Sequence, residues 1–122
     1  MATNRMFTSS IRLLLALLLI LAASAFAEGP GFRSRQQFDD HFVKHGAEFG
    51  KITKQQYLKM AQDFRDAPKS TIILEEIRKD GVITRFHKKN NWFIAVNKDR
   101  TIRTFFIPND GERYFRRQAK RP

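Results

Sequence analysis

The sequence predicts an α+β domain in which two N-terminal helices pack on a four- to five-stranded antiparallel meander sheet. The first observation is a change of period, because apolar residues recur at helical spacing before Pro68 and alternate with a period of two after it. The second is the shortness of the turns between the strand segments, which only antiparallel neighbours can accommodate. We therefore expect both helices to cover one face of the sheet.

The first helix is predicted by a capping pattern. Ser34 followed by Gln37 fits a capping box, so a helix is expected from Arg35 to about Glu48 and is stopped by Gly50. The same pattern recurs later and predicts a second amphipathic helix that ends before the proline. Its capping pair is Thr53 with Gln56, and its apolar stripe is Tyr57, Met60, Ala61 and Phe64.

The strands are predicted by alternation between turns. Asp80-Gly81 is a strong hairpin sequence. Strict alternation places Ile102, Thr104 and Phe106 on one face of the fourth strand, opposite Arg103 and Phe105. The predicted strand segments are 71–79, 82–87, 92–97 and 101–107, with a short edge strand at 113–117.

The N-terminus has the composition of a secretory leader. Two arginines precede an apolar run that ends Ala25-Phe26-Ala27, so cleavage after Ala27 and a secreted or periplasmic protein are expected. An uncleaved anchor is the alternative, but the run is shorter than a membrane span, and we expect no stable membrane insertion after cleavage. The predicted organisation is a signal peptide 1–27, a flexible lead-in 28–34, a domain 35–118 and a basic tail 119–122.

The charge favours an anionic partner. The chain has a net charge of +11, and removal of the leader with its two arginines would leave 21 basic and 12 acidic residues, a net charge of +9. The chain has no cysteine and only three histidines, which disfavours a structural zinc site. We expect a monomer with no disulfide, no metal site and no cofactor.

Two histidines stand out on the first helix. His41 and His45 are four residues apart, and His45 falls among Phe38, Phe42 and Phe49 on the apolar face. The ordinary interpretation is a core histidine bonded to a backbone carbonyl, and the functional one is a titratable group in a site. The third histidine, His87, is predicted to be a surface residue beside a turn.

These stretches together resemble the colicin D family of catalytic domains and, more broadly, the barnase–EndoU–colicin–RelE superfamily of small ribonucleases. In colicin D-like domains a helix contains Lys-His and then a Phe-Gly pair, and a late strand contains a hydroxyl residue two before an aromatic one. Lys44-His45, Phe49-Gly50, Thr104 and Phe106 match these features. The order of elements also agrees over nearly all of the chain after the leader.

The resemblance implies an exported, metal-independent endoribonuclease of the toxin type that leaves 2′,3′-cyclic phosphate ends. The implied partners are RNA, with tRNA among the candidates, and an acidic immunity-type protein. Phe42 stands where the family has a second lysine, so Arg85 or Arg103 is expected to replace that charge. The predicted catalytic residues are Lys44, His45, Thr104, Arg85, Arg103 and His41, and the predicted substrate-binding residues are Phe106, Arg113, Arg116 and Arg117.

A non-catalytic function is the main alternative. A small secreted cationic module with aromatic residues between basic ones, as at 113–117, also suits binding to nucleic acid or to anionic envelope polymers. A membrane-active protein is a third class, but the stretch after the leader lacks the amphipathic basic helix that this requires.

Overall fold

The computed structural model describes residues 29–121, and the predicted leader lies outside them. Within this range no helix combines the length and apolar content needed to cross a membrane. The α+β class with an antiparallel sheet is confirmed. The elements are α1 Arg35–His45 with a 3₁₀ turn Gly46–Phe49, α2 Lys54–Asp66, β1 Ile73–Ile77, β2 Ile83–His87, β3 Trp92–Val96, β4 Ile102–Phe106 and α3 Glu112–Ala119.

The first two helices begin at the predicted caps. Ser34 Oγ accepts a hydrogen bond from Gln37 N at 3.1 Å before α1. The capping box before α2 is complete, since Thr53 Oγ1 accepts from Gln56 N at 3.1 Å and Gln56 Oε1 accepts from Thr53 N at 2.8 Å. These bonds satisfy amide groups that have no partner inside the helix.

The four strands form a meander in the order β1-β2-β3-β4, with every pair antiparallel. The predicted hairpin at Asp80-Gly81 joins β1 to β2. Gly81 has a φ of 87°, and Asp80 Oδ1 accepts from Val82 N at 3.0 Å. Glycine suits this turn because a side chain is strained at such a φ.

One face of the sheet is covered by α1 and α2. Tyr57 is fully buried, and its hydroxyl donates a hydrogen bond to the carbonyl oxygen of Phe105. Burial, followed by the negative charge of Glu48, raises the pKa of Tyr57, so the phenol stays neutral and remains a donor. The buried apolar residues on this side are Tyr57, Ala61, Phe64, Ile94, Val96, Ile102 and Phe105.

The other face is covered in part by α3, where the sequence predicted a short edge strand. The prediction of a strand at 113–117 is wrong, because Glu112–Ala119 is helical and Phe115 is fully buried on the sheet. A helix places Arg113, Arg116 and Arg117 together on its solvent side at spacings of three and four. This second core contains Val82, Phe86, Phe93, Ala95 and Phe115.

A β-bulge interrupts the predicted alternation of β4. Ala95 pairs with Thr104 but Val96 pairs with Ile102, so Arg103 is an extra residue without a partner of its own. Ile102 therefore lies in the same core as Phe105 and not, as predicted, on the face of Thr104. The bulge places Arg103 on the face where Thr104 lies, since both line one cleft there.

The segment before α1 lies against the domain and brings the helix to the edge of the sheet. Ile102 N donates to the carbonyl oxygen of Gly31 at 2.9 Å, and Phe32 forms a parallel bridge with Ile102. The Arg65 guanidinium donates to the carbonyl oxygen of Pro30. As a result α1 runs beside β4, the edge strand that contains Thr104.

Candidate active site

A cleft between α1 and β4 brings together five of the ten predicted site residues. We call it the histidine cleft; its volume is about 390 Å³. Four of the six predicted catalytic residues line it, together with the predicted substrate-binding residue Phe106. Its lining residues are Asp40, His41, Lys44, His45, Thr104, Phe106 and Tyr114.

The two imidazoles are neighbours because they are one helical turn apart on α1. The ring centroids of His41 and His45 are 6.1 Å apart. The His45 ring stacks on Phe106, with centroids 5.0 Å apart and an interplanar angle of 26°. Phe106, two positions after Thr104 on β4, thus forms the wall of the cleft against which His45 packs.

Glu48 fixes the orientation of His45. The 3₁₀ turn after α1 brings Glu48 Oε2 to 2.6 Å from His45 Nδ1. The other oxygen, Oε1, accepts from Ile107 N at 2.8 Å, so both carboxylate oxygens are engaged. An ionised carboxylate can only accept, so Nδ1 carries a proton and Nε2 is the nitrogen available to a ligand.

His41 is oriented in the same way by the backbone. Its Nδ1 lies 2.8 Å from the carbonyl oxygen of Gln37. A carbonyl oxygen is also only an acceptor, so this nitrogen carries a proton and leaves Nε2 available. The ring packs against Phe32 at a centroid distance of 5.1 Å. Both histidines therefore contact protein through Nδ1, and neither is enclosed in the core.

Two hydroxyl groups that line the histidine cleft have no partner within the described chain. Neither Thr104 Oγ1 nor the Tyr114 hydroxyl forms a hydrogen bond with residues 29–121. Burial raises the pKa of Tyr114, and this effect outweighs the positive charges of Arg121 and Arg117, which lower the pKa. The phenol therefore remains protonated. Both groups are thus free to donate a hydrogen bond to a ligand.

Lys44 is the cation of the histidine cleft. Its side chain is exposed and forms no ion pair with any described residue. The residue turns away from His45 by one step of the helix, as the sequence predicted, yet it still lines the same cleft. A lysine ammonium without a carboxylate partner is suited to an anionic ligand.

A second cleft, which we call the arginine cleft, continues along the same face of the sheet. Its volume is about 560 Å³, and it shares Thr104 and Tyr114 with the histidine cleft. The β-bulge places Arg103 here. The lining residues are Arg78, Phe93, Ala95, Arg103, Thr104, Tyr114, Gln118 and Arg121.

The structure does not bring Arg85 to either cleft. The residue is 6% exposed, and its guanidinium lies on the α2 side of the sheet. It donates to Glu75 Oε1 at 2.9 Å and to the carbonyl oxygens of Phe64 and Ala67. Arg85 is therefore a buried structural cation that closes the end of α2, and the second cation of the site is not this residue.

The three predicted substrate-binding arginines of α3 lie outside both clefts. Arg116 pairs with Glu112 at 3.4 Å, and Arg117 pairs with Asp110 at 2.5 Å. Arg113 is exposed. The helix that replaces the predicted strand turns these three side chains to solvent and presents its Tyr114 side to the clefts.

Sequence reasoning missed Glu48, Tyr114, Arg78 and Arg121 as site residues. The sequence could have predicted Glu48, since the His-x-x-Glu spacing of His45 and Glu48 places a carboxylate beside an imidazole on a helical turn. The others depend on α3 and on the packing of distant segments. His87 was predicted to be a surface residue but is partly buried, packing against Trp92 at a centroid distance of 5.5 Å.

The chain matches no model of a known protein family. A comparison with curated proteins likewise finds no significant sequence match. Across residues 29–121, no three His, Cys, Asp or Glu side chains are grouped so that they could hold a metal ion. Inference of function therefore depends on the geometry of the histidine cleft.

Proposed function

We propose that the protein is an endoribonuclease that cleaves RNA through attack of a ribose 2′-OH on the adjacent phosphorus. The observation that supports this most strongly is the arrangement of His41 and His45. Two imidazoles, each held through Nδ1 by an acceptor, lie side by side in a cleft with a free ammonium and two free hydroxyls. This reaction needs one base, one acid and charge stabilisation, and the cleft supplies groups for each.

His45 is the proposed base. Its Nε2 takes the proton of the 2′-OH, and the Glu48 carboxylate at Nδ1 stabilises the imidazolium that forms. Carboxylate support of this kind favours a histidine that gains a proton during the reaction. It also keeps the ring in the tautomer whose Nε2 is unprotonated.

His41 is the proposed acid. In its protonated form both ring nitrogens are donors, so Nδ1 still donates to the carbonyl oxygen of Gln37 while Nε2 gives a proton to the departing 5′-oxygen. Lys44 and the hydroxyls of Thr104 and Tyr114 stabilise the charge on the non-bridging oxygens. The products are a 2′,3′-cyclic phosphate and a 5′-hydroxyl.

The resemblance to colicin D-like ribonucleases supports the same proposal. The two motifs behind that resemblance, Lys44-His45 and Thr104 with Phe106, are distant in sequence and line one cleft. On this basis we propose a toxin-type enzyme that acts after export and is neutralised in its producer by an acidic protein. Growth arrest on leaderless expression, relieved by His45→Ala, is the expected result; a soluble, harmless parent would contradict the toxin assignment.

The direct test is cleavage of total RNA and of DNA by purified protein in EDTA. We expect RNA to be cut and DNA, which lacks the 2′-OH, to survive. His45→Ala should lower the rate by about 10²-fold or more, the scale of losing a general acid or base. Its circular dichroism should match the parent, because the ring lies at the cleft and not in either core.

Other outcomes would contradict the proposal in different ways. Full activity of His45→Ala would remove the catalytic assignment. Activity that appears only when magnesium is restored would indicate another nuclease class. Salt-dependent RNA binding without any cleavage would favour the binding module, the alternative that the basic arginine cleft supports.

A further inference from the structure

The arginine cleft has the composition of an anion site. Three guanidinium groups line it, from Arg78, Arg103 and Arg121, and no acidic residue does. The Nε of Arg78 is buried and has no hydrogen-bond partner in the described chain, although its Nη2 pairs with Asp80 at 2.9 Å. A buried N–H without a partner is costly, which favours a ligand acceptor at this position.

The other two guanidinium groups form side-chain hydrogen bonds to neutral partners, although Asp80 lies near enough to Arg103 for the charge of Arg103 to lower the Asp80 pKa. Arg103 Nε donates to Asn97 Oδ1 at 2.8 Å. Arg121 Nη1 donates to Gln118 Oε1 at 3.0 Å. Each keeps further N–H donors, and the guanidinium fork matches the geometry of phosphate oxygens.

The two clefts adjoin one another at two residues. Thr104 and Tyr114 belong to the lining of both, so a single extended ligand that contacts them can occupy both clefts. If the scissile phosphate lies beside the histidines, the chain of the same RNA continues past Tyr114 toward the arginines.

We propose that the arginine cleft binds the phosphate next to the scissile one on the same RNA strand. This inference rests on the proposed ribonuclease function and adds a substrate requirement to it. The enzyme then recognises at least two consecutive phosphates, one for chemistry in the histidine cleft and one for positioning in the arginine cleft.

The test neutralises one phosphate at a time. Short RNAs that span a cleavage site mapped in total RNA are made with an uncharged methylphosphonate on the 5′ or the 3′ side of the scissile bond. For the parent protein, one of the two replacements should lower kcat/KM by about tenfold, the scale of a charge-assisted hydrogen bond. The same replacement should change kcat/KM of Arg103→Gln/Arg121→Gln by about twofold or less, because the contact is already lost.

Lys88→Gln/Lys120→Gln is the matched control, because it loses two positive charges, as the arginine double variant does. Both lysines are exposed and line neither cleft, and Lys120 directly precedes Arg121. It should keep the tenfold sensitivity of the parent. Equal sensitivity of the parent and the arginine double variant, or no sensitivity in the parent, would overturn the inference and leave the ribonuclease proposal intact.

If no RNA is cleaved, the proposed function fails and the cleft is tested by binding alone. Fluorescence anisotropy with a 2′-O-methyl RNA should then show about tenfold weaker binding by the arginine double variant than by Lys88→Gln/Lys120→Gln, which has the same net charge. Equal affinity of these two variants would overturn the inference as well.

Discussion

The two faces of the sheet differ in how completely they are covered, and the arginines on them show the consequence. On the α2 face, Arg85 is buried, and its donors are bound by Glu75 and by backbone carbonyls. On the α3 face the helix has only eight residues, and Arg103 is exposed at the edge strand. A closed face satisfies its polar groups internally, whereas an open face leaves donors for a ligand.

Two threonines on the α3 face repeat this contrast over a shorter distance. Thr84 is fully buried, and its hydroxyl donates to the carbonyl oxygen of Glu76 at 3.1 Å. Thr104 is only partly buried and lines both clefts, and its hydroxyl has no partner among the described residues. The threonine hydroxyl is therefore structural in β2 and open to a ligand in the edge strand β4.

The largest expected effect is a loss of stability, and it is tested by replacing two adjacent phenylalanines that lie on opposite faces of the sheet. Phe105 is fully buried on the α2 face, so Phe105→Ala should lower the free energy of unfolding by about 3–5 kcal/mol. Phe106 is partly exposed against His45, so Phe106→Ala should cost less stability and more activity. Urea denaturation and RNA cleavage measure the two quantities; equal losses of stability would remove the distinction between the faces.

The next effect concerns Glu48 as the positioning residue for His45. In Glu48→Gln, an amide oxygen bound to Ile107 N leaves an NH₂ group facing His45 Nδ1, which favours the wrong tautomer. We expect kcat to fall by about 10²-fold or more with little change in KM. The Nδ1–H resonance of His45 should be lost in NMR spectra; an unchanged resonance with reduced activity would contradict this role.

A smaller effect is expected at Thr104. Thr104→Val keeps the shape and the β-branching of the side chain but removes the free hydroxyl. Loss of one hydrogen bond to a charged group should lower kcat by about tenfold. The thermal midpoint should change little, because the hydroxyl has no partner within residues 29–121. Activity equal to that of the parent would remove Thr104 from the site.

The smallest expected effect is a pH dependence of stability that comes from His87 on the α2 face of the sheet. Burial, followed by the positive charge of Lys89, lowers the pKa of His87, so the folded state resists protonation there. The unfolded chain binds that proton at a pKa of about 6.5, so this contribution to stability is present above that pH and is lost as the pH falls below it. His87→Gln should lose less stability than the parent between pH 7 and pH 5 in urea denaturation, and equal losses would contradict the assignment.

Local sequence determined the first two helices, the hairpins and the strand order. Ser34, Thr53 and Gln56 cap their own helices, and Asp80-Gly81 forms its own turn, so each of these features depends on residues within a few positions. The pairing of His41 with His45 was predicted for the same reason, since four residues make one helical turn.

Tertiary structure decided the features that depend on distant contacts. A short segment with Tyr114 and Phe115 suits either a strand or a helix, and the second core selects the helix by burying Phe115 beside Phe86 at a centroid distance of 6.1 Å. The bulge that moves Arg103 to the cleft face depends on the register between β3 and β4. The sequence around Arg85 and Arg103 does not show that the first is buried and the second lines a cleft, because the burial and the partners of each arginine come from segments far away in the chain.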